Sequence, residues 1–115
     1  MLTDLQRIEH MIENAELLLS FSIDTTEAEY ASSVEKQYAM KFAFVMLGED
    51  AASISEELKL KYPSIPWQSI RGMRNIIAHD YNKTDKEFIW DAVVNNMKPL
   101  RQQLLQIKSE LEHSK

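Results

Sequence analysis
The sequence predicts an all-α chain, an up-and-down bundle of four or five helices. Three observations carry this. Apolar residues make up 44% of the 115 positions, enough for one core and one domain over residues 1–115. Only two glycines (Gly48, Gly72) and three prolines (Pro63, Pro66, Pro99) interrupt the chain. Apolar residues recur three and four positions apart over long stretches.

The first helix is expected from Thr3 to near Phe21. The Thr3 hydroxyl is placed to cap it, and Gln6 completes a capping box. Leu5, Ile8, Ile12, Ala15 and Leu19 form its apolar face. Asp24-Thr25-Thr26 reads as a turn and the next cap. A second helical region follows from about Thr26 to Tyr62, with a candidate break at Ser32-Ser33. Its expected apolar face holds Val34, Tyr38, Phe42, Val45, Met46, Ala52, Ile54 and Leu58. Pro63 and Pro66 end that region and frame a short loop. A third helix is expected from about Trp67 to His79, then a loop over Asn82-Lys83-Thr84-Asp85. The last helix should run from about Lys86 to His113, facing inward with Ile89, Ala92, Val93, Met97, Leu100, Leu104, Ile107 and Leu111. Trp67 and Trp90 read as packing residues, and Glu49-Asp50 and Glu56-Glu57 as solvated helix faces. Met73 and Met97 read as core filler or dimer-interface residues.

Composition narrows the chemistry. With no cysteine, disulfides and thiolate metal sites are excluded. No apolar run reaches the roughly 18 residues of a membrane span, and no basic segment followed by an apolar run opens the chain. A cytoplasmic location without membrane attachment is the expectation. The net charge of −5 disfavours non-specific nucleic-acid binding, but it is uneven. Between Leu58 and Lys86 six basic residues face two acidic ones, a +4 island against −9 elsewhere.

That island contains Arg74-Asn75-Ile76-Ile77-Ala78-His79-Asp80-Tyr81. Arginine grips phosphate bidentately, and histidine moves protons near neutral pH. RNA cleavage without a metal needs a base for the ribose 2'-hydroxyl, a cation for the phosphoryl oxygens and an acid for the leaving oxygen. His79 suits the acid or base role and Arg74 the phosphate. Asn75 could orient His79 or bind phosphate, with Arg71 supporting. On an ideal helix Arg74 and His79 lie about 140° apart. They converge only at a helix end or across a second subunit. His10 and His113 are remote in sequence, so no metal site and no cofactor is expected. The competing reading of His79 is a helix-terminal residue interacting with the dipole.

Arg74-x4-His79-x-Tyr81 resembles the motif of the HepT-like toxins, within the HEPN superfamily of helical ribonuclease and nucleotide-binding domains. The resemblance covers essentially the whole chain. Met46-Leu47-Gly48-Glu49-Asp50-Ala51 is similar to the family's Gly-Glu-Ala segment, and Tyr62-Pro63-Ser64-Ile65-Pro66-Trp67 to its Tyr-Pro-x-Ile-Pro-Trp loop. Ile70-Arg71-Gly72-Met73-Arg74-Asn75 and Ile89-Trp90 resemble the flanking runs. Asp80, and the Asn82–Asp85 loop without an aromatic residue, depart from the usual pattern.

The resemblance implies a HEPN-like homodimer whose two motifs face one cleft. It implies a metal-independent endoribonuclease toxin using Arg74 and His79 on an RNA substrate. It further implies a minimal nucleotidyltransferase antitoxin that moves AMP from ATP and magnesium onto Tyr81. An alternative within the same resemblance is a non-catalytic, nucleotide- or substrate-binding partner subunit of the nucleotidyltransferase.

Overall fold
A computed structural model describes residues 2–72 and 83–113. Helix α1 spans Asp4–Asp24. Its capping box is formed as the sequence suggests: the Gln6 amide donates to the Thr3 hydroxyl at 3.1 Å and the Thr3 amide to the Gln6 side chain at 2.9 Å. The helix runs three residues past Phe21, because nothing between Phe21 and Asp24 breaks it and the extended Thr25 is its first stop. Ile8, Met11, Ile12, Ala15 and Leu18 form the buried stripe. Leu5 and Leu19, assigned to that stripe from spacing, are half-buried at its edge.

The expected second region is three helices, α2 Glu27–Ser32, α3 Val34–Ser53 and α4 Glu56–Lys61. Thr26 caps α2 with a capping box through Glu29. The break at Ser33 is present. Ser33 is extended, and its hydroxyl accepts from the Lys36 amide at 3.2 Å. The Gln37 side chain then reaches back to the Tyr30 and Ala31 carbonyls at 3.0 and 3.1 Å, satisfying acceptors that the end of α2 leaves over. The second break, at Ile54-Ser55, was not expected, since Ile54 fits the apolar spacing. Ser55 caps α4 and is held by Asp4, which accepts from the Ser55 amide at 3.0 Å and from its hydroxyl at 2.6 Å. Ser55-Glu56-Glu57, a capping residue followed by two acids, was the available signal.

Residues 67–72 form the described part of α5, and α6 spans Lys83–His113. The architecture is therefore all-helical with six helices, not four or five, and no strand occurs among the described residues. The last helix begins at Lys83, inside the stretch expected to be a loop. No glycine or proline lies between Lys83 and Pro99 to stop it. At about 1.5 Å per residue its 31 residues reach roughly 46 Å, which matches the 47 Å long axis of the molecule.

Helix α1 lies between α3 and α6 and is antiparallel to both. Arg7 near its start meets Asp50 near the end of α3. Glu9 and Glu16 pair with Lys108 and Arg101 in reverse order along α6. The α6 face assigned from spacing is buried from Ile89 to Ile107, with Leu111 half-buried. Trp67 and Trp90 are core residues, and so is Met97, at 2% exposure. Met73 lies outside the described residues.

Helix α3 corrects the sequence reading. The first half of the stripe expected to face inward points outward: Val34, Tyr38 and Phe42 are 61%, 52% and 65% exposed, whereas Val45, Met46 and Ala52 are half-buried and Ile54 and Leu58 are buried as expected. Met40, Ala43, Phe44, Leu47 and Ala51 face the core instead. The cause is that α3 is apolar around most of its circumference, so periodicity alone cannot select the packed side.

Pro99 sits exposed inside α6, where it lacks an amide for the helix ladder and crowds the preceding turn. Pro99→Ala is expected to stabilise the fold by about 2 kcal/mol. Urea unfolding followed by circular dichroism checks this, and an unchanged midpoint would mean that α6 already accommodates the ring.

Candidate functional site
The segment leading into the motif is fixed by the 62–66 loop. The Trp67 indole donates to the Tyr62 carbonyl at 3.0 Å, and the Ile65 amide to the same residue's carbonyl at 3.3 Å. The Tyr62 hydroxyl donates to the Glu110 carboxylate, and the Gln103 amide reaches the Ser64 hydroxyl at 3.4 Å. Both tie the loop to α6. Ile65, Trp67 and Ile70 are buried. The Pro-x-x-Pro segment thus acts as an anchored corner. It sets the direction in which α5 starts, with Trp67 and Ile70 inward and Arg71 outward.

Of the residues that the sequence singles out, Arg71 is exposed on α5, accessible to a ligand from solvent. Arg74, Asn75, His79 and Tyr81 lie outside the described residues, so Arg71 is placed without them. A Cβ at Gly72 would meet nothing within 4 Å, so close packing does not demand glycine there. Part of the basic island is engaged structurally. Lys59 pairs with Glu56 at 3.6 Å, and the Lys61 ammonium lies 5.9 Å from the Tyr62 ring centroid. Among the described residues no group of three or more His, Asp or Glu could hold a metal ion, and no helix is long and apolar enough to cross a membrane. His10 lies near Asp50, and His113 contacts the Ser109 carbonyl at 2.6 Å near the end of α6.

The charged cluster missed from the sequence is Arg7-His10-Asp50. Asp50 was grouped with Glu49 as a solvated face. Glu49 is exposed, whereas Asp50 retains 7% exposure and accepts from the Arg7 guanidinium at 3.0 Å. The nearest His10 ring nitrogen is 3.9 Å away. Burial pushes the Asp50 carboxyl above its ordinary range, against the hydrogen bond and charge of Arg7 and the charge of His10. A raised folded pKa means that the folded state holds the proton more tightly. Stability from this group is therefore present at low pH and lost as pH rises through the folded value. Removing Arg7 should deepen that loss. Arg7→Ala is expected to cost about 2–3 kcal/mol at pH 7 and clearly less at pH 4. Asp50→Asn should cost less than Arg7→Ala at pH 7. Urea midpoints at the two pH values test this, and an equal cost at both would refute it.

Comparison with known proteins places these elements in a family. The model of the family described as "Ribonuclease HepT-like" matches residues 11–107, from the middle of α1 to near the end of α6. The chain is 29% identical over 108 residues to a Methanocaldococcus jannaschii protein named "Gamma-glutamylcyclotransferase and putative RNase", covering 94% of this chain. It spans about half of that protein, 49% of its length. It is 28% identical over 108 residues to a "Putative RNase" of the same organism, covering 90% of this chain and 89% of that one. A "Probable ribonuclease HepT" of Thermococcus cleftensis is 26% identical over 94 residues, covering 82% and 86% of the two chains. No solved structure matches the chain. With the match extending over most of its length, the chain belongs to the HepT-like ribonuclease family.

Proposed function
We propose that this protein is a metal-independent endoribonuclease and the toxin of a toxin–antitoxin pair. The observation that carries the reading is the motif Arg74-x4-His79-x-Tyr81, lying inside the span matched by the HepT-like ribonuclease family. The names of the similar proteins, among them "Putative RNase" and "Probable ribonuclease HepT", support the same class. In this reading Arg74 holds the scissile phosphate, and His79 takes or gives the proton at the 2'-hydroxyl or the leaving oxygen. Asn75 and the exposed Arg71 assist in holding phosphate or orienting the imidazole. Two copies bring two motifs to one cleft, so that one His79 serves as base and the other as acid.

Tyr81 is the off-switch. A nucleotidyltransferase antitoxin would transfer AMP from ATP to its hydroxyl, releasing pyrophosphate. The added phosphate and nucleoside would sit two residues from His79, where they repel and block RNA phosphate. The test compares chain purified alone with chain co-expressed with a nucleotidyltransferase of this kind. The unmodified chain should cleave RNA. The co-expressed chain should carry AMP-sized mass additions that are absent from Tyr81→Phe, and should cleave little. An unmodified chain without ribonuclease activity would overturn the toxin reading. Additions that persist on Tyr81→Phe would overturn the switch.

A further inference from the structure
Pro99 destabilises the helix that contains it, and its position points to a use. It has no amide, so the Asn95 carbonyl lacks the donor that position 99 supplies in a regular helix. The same ring forms one edge of a pocket of about 360 Å³ between the start of α5 and the middle of α6. A broken local rule at the rim of a cavity is the pattern expected where binding is favoured over stability.

Buried Ile70, Met97 and Leu100 form the floor of the pocket, and Pro66 and Pro99 are rigid apolar edges. Two amides mark its ends. Gln103 lies by the 62–66 loop, where it makes a long bond of 3.4 Å to the Ser64 hydroxyl that a ligand can replace. Asn96 is seven residues away on the same face of α6, about 10 Å along the axis. Among the described residues that line the pocket, none is charged.

We propose that this pocket holds an adenine base of the RNA substrate. The proposal rests on the ribonuclease reading above and gives it a specificity subsite. Size and neutrality come first. The pocket is at the low end of small-ligand sites, which run from about 300 to 1,000 Å³, and it suits one nucleoside. An uncharged lining suits a neutral base with its phosphate outside. Arg71, exposed, follows directly on Ile70 and stands at the margin for that phosphate. Arg74 is four residues beyond Ile70, and covalent geometry alone keeps the two Cα atoms within about 14 Å. The base in the pocket and the scissile phosphate then belong to neighbouring nucleotides.

The hydrogen-bonding edge selects the base. A glutamine amide pairs bidentately with adenine, its oxygen accepting from the 6-amino group and its nitrogen donating to N7. An amide can turn over to suit a keto base, but the Asn95 carbonyl cannot. As a fixed acceptor it takes the second amino hydrogen of adenine, and it repels the keto oxygen of guanine or uracil. The three-residue apolar floor favours the bicyclic ring over cytosine. Asn96, at the other end, meets the ribose hydroxyls.

Titration of the wild-type chain with AMP, GMP, CMP and UMP tests the pocket without any cleavage. The readout is the side-chain amide signals of Asn96 and Gln103 in nuclear magnetic resonance spectra. AMP should shift both signals and bind at least about 10-fold more tightly than the other three. Gln103→Leu should abolish that preference. Pro99→Ala restores the missing amide, so it should weaken AMP binding while raising the urea midpoint, a combination that loss of folding does not produce. In cleavage, wild type should favour adenine over guanine beside the scissile bond by about 10-fold in kcat/KM, and Gln103→Leu should not. Equal binding of the four nucleotides, AMP shifts confined to other residues, or a Pro99→Ala chain that binds AMP as tightly as wild type would overturn the adenine pocket. RNA cleavage alongside any of these would leave the ribonuclease reading intact. Selective AMP binding by a chain that cleaves no RNA would instead uphold the adenine site and overturn the ribonuclease reading.

Discussion
Replacing His79 by alanine, which removes both base and acid from the proposed dimer, is expected to lower the rate constant for RNA cleavage by at least the roughly 100- to 10,000-fold that one positioned general acid or base supplies. The group has no substitute nearby in sequence. Asn75 and Arg71 carry no proton to exchange near neutral pH, and His10 belongs to the Asp50 cluster between α1 and α3. Arg74 should behave differently. Arg74→Lys keeps the charge but loses the planar fork that holds two phosphoryl oxygens, so it should recover only part of the loss caused by Arg74→Ala. Single-turnover cleavage of a defined oligoribonucleotide separates the two roles. His79→Ala, which removes base and acid together from the proposed dimer, should lose both limbs of the pH–rate profile, whereas Arg74→Lys should keep the shape and lower the height. If Arg74→Lys is as active as wild type, bidentate phosphate binding is not part of the chemistry.

The second large effect is structural. Tyr30 of α2 is 1% exposed and stacks on Trp90 of α6, with ring centroids 5.3 Å apart and planes at 28°. This contact ties the short α2 to the long α6. Tyr30→Ala would empty the space of a large ring and remove the stack. The expected cost is about 3–5 kcal/mol, which for a domain of this size lowers the thermal midpoint by more than 10 °C. Tyr30→Phe keeps the ring and should cost much less. The phenol adds a pH signature. Burial pushes its pKa from 10.0 up to about 12. The stability associated with the neutral phenol is therefore complete below pH 10 and is lost as pH rises toward 12. At about 1.4 kcal/mol per pKa unit, the full loss is roughly 3 kcal/mol. Thermal unfolding between pH 9 and 12 should show this decline in wild type and a shallower one in Tyr30→Phe. Parallel declines would refute the assignment to Tyr30.

What the sequence revealed, and what it hid, follows from where the information is local. The Thr3 capping box, the Ser33 break and the inward face of α6 were legible because each depends on residues within a few turns of one another. The faces of α3 were not. Met40 and Phe44 compete with Tyr38 and Phe42 for burial at the same spacing, and only packing against α1 decides between them. Asp50 was misread for a related reason. Its partners Arg7 and His10 are some forty residues away. Ser55 likewise depends on Asp4, 51 positions distant. The chemistry that the residue types of the motif suggest rests on Arg74, Asn75, His79 and Tyr81, which lie outside the described residues.

The central claim is that cleavage runs through His79 without a metal. Purified wild type and His79→Ala, each incubated with the same RNA in excess EDTA, test it directly. The account predicts cleavage by wild type and at least about 100-fold slower cleavage by His79→Ala. Equal cleavage by both, or cleavage by wild type that EDTA abolishes, would contradict it.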